Sequence, residues 1–215
     1  MYLYLSSYRI GEKANMFSEL GGTGTAFVIP NALDFSEDIG RRRNSIAREI
    51  DDLRKWGITS EALDLRDFFG HKRLLQNHLE DTSMLWVVGG NTFLLRRAMA
   101  LSGLDLILQA KRGDPNFLYA GYSAGACVLC PSLEGIHLAD RPQAHAKGYT
   151  GDVLWTGLGL IDYYFVPHFR CNHFESDAME AVAAYYHRKN LPYRTVADGD
   201  VILDQTHNKK PQALP

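Results

Sequence analysis

Cysteine is scarce in this chain of 215 residues: Cys127, Cys130 and Cys171 are the only three. So few, and an odd number, argue against a disulfide framework. Charge of one sign is lacking too. The formal net charge of -2 offers nothing to draw the chain to nucleic acid or an anionic membrane surface. No apolar run approaches the roughly 20 residues that cross a bilayer. The opening Met1-Tyr2-Leu3-Tyr4-Leu5 lacks a basic leader followed by a long apolar stretch, so no secretory signal is expected and the expected compartment is the cytoplasm. Repeats, low-complexity tracts and interdomain linkers are missing as well. What remains reads as one domain over residues 1–215, with 207–215 a loosely held tail. Its hydrophobic content of 46% suffices for a core without staples.

Short apolar runs alternate with amphipathic stretches along nearly the whole chain. Strands are expected at Tyr2 to Ser6, Ala26 to Pro30, Ala62 to Leu65, Met84 to Val88, Phe117 to Ala120 and Tyr163 to Val166. Helices are expected at Glu37 to Trp56, where Ile39, Ile46, Ile50 and Leu53 share a face, and at Asn91 to Leu101, Leu104 to Lys111 and Glu175 to Lys189. Arg194 to Ala197 and Val201 to Asp204 read as a closing hairpin turned by Asp198-Gly199. The predicted class is α/β: three layers, a mostly parallel central sheet with helices on both faces, and a C-terminal antiparallel hairpin.

One turn stands out. Gly121-Tyr122-Ser123-Ala124-Gly125 follows an apolar strand and precedes Ala126-Cys127-Val128-Leu129. A serine on such a strand-to-helix bend, flanked by glycines, is either an exposed nucleophile or a plain helix cap. Cys127 and Cys130 have redox-pair spacing, but Ser123 occupies the helix end that would activate a thiol, so both read as small buried residues.

In open parallel sheets ligands bind at the carboxyl ends of the strands. Gly89-Gly90-Asn91-Thr92, the Ser123 turn and Pro167-His168-Phe169 all follow strands, so they are expected to converge. His168 is the best-placed base for Ser123, with His173 its rival. Asp198 is the preferred acid behind it, with Asp140 the alternative. The amides of Gly90 and Ala124 are the candidate oxyanion donors. Asn91, Thr92, Asp140 and Arg170 are candidate substrate contacts, Arg170 through a substrate carboxylate. Gly21-Gly22-Thr23-Gly24 precedes a strand and makes a poor phosphate cradle. His168, Cys171 and His173 lack the second tight ligand pair of a metal site, so neither metal nor cofactor is expected. Arg41-Arg42-Arg43 reads as a solvated helix face or, if that helix end faces the site, part of its lining.

Gly-Gly-Asn-Thr-Phe (89–93), Gly-Tyr-Ser-Ala-Gly-Ala (121–126) and Pro-His-Phe (167–169) together resemble the dipeptidase E family of serine peptidases, the α-aspartyl dipeptidases. Cyanophycinases are relatives, and the fold is similar to that of class I glutamine amidotransferases. Asp34-Phe35-Ser36 with the arginine-rich segment after it looks like this family too. The resemblance implies a Ser-His-acid order matched by Ser123, His168 and Asp198, although the family's acid is a glutamate before glycine. It also implies oxyanion donors at Gly90 and Ala124, and a small peptide as substrate. The run after Pro167-His168-Phe169 departs from that of the aspartyl-specific members. An ester or isopeptide hydrolase and a silent small-molecule binding domain are the alternatives. Oligomeric state is undecided, with a homodimer left open.

Overall fold

A computed structural model describes residues 1–17, 19–20 and 25–206. The glycine-rich 21–24 segment and the 207–215 tail lie outside the described residues. Among the described residues there are eight strands: β1 (Tyr2–Ser6), β2 (Thr25–Ile29), β3 (Thr59–Ala62), β4 (Met84–Val87), β5 (Leu118–Tyr122), β6 (Tyr164–Val166), β7 (Tyr193–Thr195) and β8 (Val201–Gln205). Six form one sheet in the order β3-β2-β4-β5-β1-β8, parallel except for β8, which runs antiparallel to β1.

The inner strands β4 and β5 are buried along their whole length, as parallel strands covered on both faces must be. Alternate side chains feed two cores. On one face Leu3, Leu5, Leu85, Val87 and Tyr119 meet α3 (Thr92–Ser102), α4 (Leu104–Ala110) and α6 (Ser176–Arg188). On the other Tyr4, Trp86, Leu118, Ala120 and Tyr122 pack beside Leu53 of α1 (Ile39–Lys55). The result is the expected three-layer α/β sandwich.

Four sequence expectations are corrected. The closing hairpin does not form: β7 pairs in parallel with β6 in a separate two-stranded sheet, and β8 alone supplies the antiparallel edge. Asp198-Gly199 is a loop between the two sheets, because β1 recruits β8 across the fold. Consequently His168 leaves a strand of the small sheet, not of the large one. The third strand ends at Ala62, and Leu65–Phe68 is a 3-10 turn started by the Asp64 carboxylate, which accepts from the Arg66 N–H. On α1, Ile39 is 71% exposed while Glu49 is buried, since the carboxylate accepts from the Trp86 indole and the Tyr122 hydroxyl at 3.1 Å each.

Candidate active site

The carboxyl ends of β1, β2, β4 and β5 open into a cleft of about 1370 Å3 lined by Ser123 and His168. Ser123 adopts φ +50°, a left-handed conformation rare outside glycine, and its side chain makes no capping bond to α5 (Ala124–Cys127). The plain cap is thereby excluded. The bend requires glycine on structural grounds. A Cβ on Gly125 would lie 2.2 Å from the Val87 carbonyl oxygen of β4, and one on Gly121 would meet the same oxygen at 3.0 Å. The β4 exit folds over the bend: a Cβ on Gly89 would touch the Tyr122 ring at 2.7 Å. Gly90 has φ +142° and presses on the Ala32 carbonyl. Among the described residues, neither the Gly90 nor the Ala124 amide donates to another group.

His168 is buried, also in a left-handed conformation, and its Nδ1 donates to Asp198 Oδ1 at 2.7 Å. That bond leaves Nε2 as the free acceptor. Ser7, at the exit of β1, ties the pair to the sheet. Its Oγ accepts from the His168 backbone N–H at 2.7 Å and donates to Asp198 Oδ1 at 2.7 Å. Burial pushes the His168 imidazole below its ordinary value, an effect the Asp198 bond opposes. Burial also works against the Asp198 carboxylate, but the Ser7 and His168 hydrogen bonds outweigh it and hold the group below the usual range.

Of the two rival acids, Asp198 is therefore the one bonded to His168. Asp140 lines the same cleft but is spent on the start of α3, where its Oδ2 accepts from the Thr92 N–H at 2.7 Å. Burial pushes Asp140 up to about 6. Asn91 is the N-cap of α3, accepting from Leu94 N–H and donating to the Arg141 carbonyl; it also lines the cleft. Thr92 is buried behind it. Arg170 does not line the cleft: its guanidinium is exposed, 3.6 Å from Glu180 and stacked on Phe169. Of the arginine run, Arg41 and Arg42 line the cleft, with Arg42 bound to Asp34 and Asp64.

Sequence reasoning missed Ser7 and Glu175 as neighbours of His168 and named His173 only as a rival base. Ser7 carries no motif, and only the β1 exit brings it near. His173 stacks flat on His168, ring centroids 3.7 Å apart and planes within 8°. Glu175 Oε2 lies 3.8 Å from His168 Nε2. Burial, then Asp140 and Asp198, push Glu175 up to about 7. The compact turn after Pro167 brings both close, and no spacing rule signals it. Donor atoms of His168, His173 and Asp198 lie within 4.8 Å of one another. Because the two imidazoles are parallel, however, their in-plane lone pairs do not converge on one ion. Cys127 and Cys130 are buried, and burial raises both thiols, Cys130 to about 12.

Comparison with known proteins gives a match to the model of peptidase family S51 over residues 14–209. A Listeria innocua serovar 6a protein named uncharacterized peptidase Lin0382 is 31% identical over 126 residues, covering 58% of this chain and 56% of that protein. Peptidase E of Citrobacter koseri is 33% identical over 93 residues, 42% of this chain and 36% of that one. The chain thus matches less than two thirds of the length of these curated relatives. A crystal structure of a Listeria monocytogenes EGD-e protein superposes with TM-score 0.67 at 20% identity, covering 95% of this chain and 98% of the other; that likeness concerns the fold.

Proposed function

The chain belongs to peptidase family S51, and from this premise we propose that it is a peptidase cleaving short peptides as a serine enzyme, with Ser123 the nucleophile, His168 its base and Asp198 the acid behind the base. One observation carries the reading. A half-buried His168–Asp198 hydrogen bond of 2.7 Å borders the same cleft as a serine in a left-handed bend with no helix-capping role.

The chemistry follows from the proton positions. With Nδ1–H committed to Asp198, the Nε2 lone pair of neutral His168 takes the Ser123 proton as Oγ attacks the scissile carbonyl. The carbonyl oxygen gains charge as the tetrahedral intermediate forms, and the unengaged amides of Gly90 and Ala124 are its proposed donors. The imidazolium, stabilised by ionised Asp198, then protonates the leaving amine. Water enters, His168 deprotonates it, and the acyl-Ser123 ester is hydrolysed. A serine in place of a cysteine at the elbow argues against a thiolate route.

Ser123→Ala is expected to lower kcat/KM on short peptides by roughly 10^4 or more while leaving the melting temperature nearly unchanged. Wild-type protein should take one fluorophosphonate adduct, mapped to Ser123 by mass spectrometry. Near wild-type turnover in Ser123→Ala refutes the role of this serine.

A further inference from the structure

Phe174 is 88% exposed, more than any other large apolar side chain among the described residues. A single exposed hydrophobe needs no explanation, but this one belongs to a series. It lines the cleft that holds Ser123 and His168, together with Phe35 (50% exposed) and Tyr8 (39% exposed). The rings on one side form a continuous wall. Tyr122, the residue before Ser123, meets Tyr8 edge-on at a centroid distance of 6.0 Å. Tyr8 meets His173 at 5.5 Å, and His173 meets Phe174 at 4.6 Å. All three separations fall in the roughly 4.5–7 Å range of favourable aromatic pairs. The wall therefore starts at the elbow and ends at the open rim.

Space and chemistry agree with an apolar occupant. The cleft volume of about 1370 Å3 exceeds the roughly 300–1,000 Å3 of ordinary small-ligand pockets, leaving room for side chains on both sides of a scissile bond. The cleft also carries Arg41, Arg42, Arg48 and Arg141, so charge does not select against an acidic side chain and the apolar preference rests on the ring wall. We propose that Tyr8, Phe35 and Phe174 form a subsite for a large apolar or aromatic side chain, making the favoured substrates short peptides with such a residue beside the scissile bond. The position relative to the bond rests on Ser123 being the nucleophile; the binding preference does not.

The test pairs turnover with binding. Full-length wild type and Phe174→Ser are assayed on matched short peptides carrying Phe, Ala or Asp next to the bond. Wild type is expected to favour Phe over Ala by about tenfold or more in kcat/KM, the scale of burying one large apolar side chain. Phe174→Ser, altering a rim residue that no core depends on, should cut that ratio about tenfold. Binding of the same peptides to Ser123→Ala by calorimetry should show the same preference without turnover. Preference for Asp over Phe overturns the proposal and points to Arg41 and Arg141, which also line the cleft. A Phe/Ala ratio untouched by Phe174→Ser also overturns it, as does a variant that alters only the oligomeric state. If no peptide is hydrolysed and no fluorophosphonate adduct forms, yet Ser123→Ala still prefers the Phe peptide, the catalytic reading fails and the subsite stands. Equal binding of the Phe and Ala peptides removes the subsite.

Discussion

Ser7 shows how much one small side chain can organise. Its hydroxyl serves the His168 backbone and the Asp198 carboxylate at once, so it sets both the position of the imidazole and the direction of the acid. On the proposed mechanism it is a positioning residue, acting through His168. Ser7→Ala removes a hydrogen bond to a charged group, worth about 1.5–3 kcal/mol, so kcat/KM should fall about tenfold to a hundredfold. The pH profile separates positioning from mere stability. In wild type the acid limb of kcat/KM is expected below the ordinary histidine value, because burial disfavours the imidazolium. Without Ser7 the Asp198 charge loses a donor and leans harder on His168, and water gains access, so the limb should move to higher pH. Ser7→Thr should restore it. An unmoved limb, with activity falling only in step with the melting temperature, would reduce Ser7 to a structural part.

The strand-to-helix bend after β5 is an element whose glycines answer to a neighbour rather than to their own conformation alone. At Gly125 the added methyl would meet the Val87 carbonyl of β4 at 2.2 Å, and backbone cannot step aside cheaply. Gly125→Ala should destabilise by about 1–3 kcal/mol, a fall of about 3–10 °C in melting temperature by calorimetry, with loss of activity as Ser123 shifts. Gly151→Ala is the control: its φ is +81° but nothing lies within 4 Å of a Cβ, so only backbone strain is felt. Equal melting temperatures for Gly125→Ala and wild type would mean that β4 yields easily and the packing argument is wrong. The glycine pattern itself was legible in the chain, as were β4, β5 and α3, because apolar runs and caps are local. The pairing of β6 with β7 was not, since both strands are short and their partner choice depends on what β1 and α6 leave open.

Across the molecule, a polar cluster locks β2, α1 and the long loop after α5 together beside the cleft. Asn31 donates to Asp34 and Asp64, Arg42 bridges the same two acids, and the Tyr149 hydroxyl donates to Asp34. Burial disfavours the Asp64 carboxylate, but hydrogen bonds from Arg66 and Asn31 outweigh it and hold the group at about 2. A depressed folded-state value means stability that is fully present above the ordinary aspartate range and lost as pH falls toward 2. Against the unfolded value of 3.8 the shift amounts to about 2 kcal/mol. Asp64→Asn should therefore be about 2 kcal/mol less stable than wild type at pH 7 by urea unfolding, with the gap closing between pH 4 and pH 2. A gap that stays constant with pH would show that the carboxylate charge contributes nothing.

The amino-acid sequence by itself determined the α/β class, the elbow at Ser123 and a histidine lining the same cleft, because hydrophobic period, glycine spacing and strand ends are properties of neighbouring residues. Choosing Asp198 over Asp140 was a matter of tertiary structure: the two acids differ only in what folds against them, one reaching His168 and the other the Thr92 amide. So was the gathering of Ser7, His173 and Glu175 around one imidazole. These side chains come from the β1 exit and a compact turn some 160 residues apart, and only the closed sheet edge brings such distant segments within hydrogen-bonding reach.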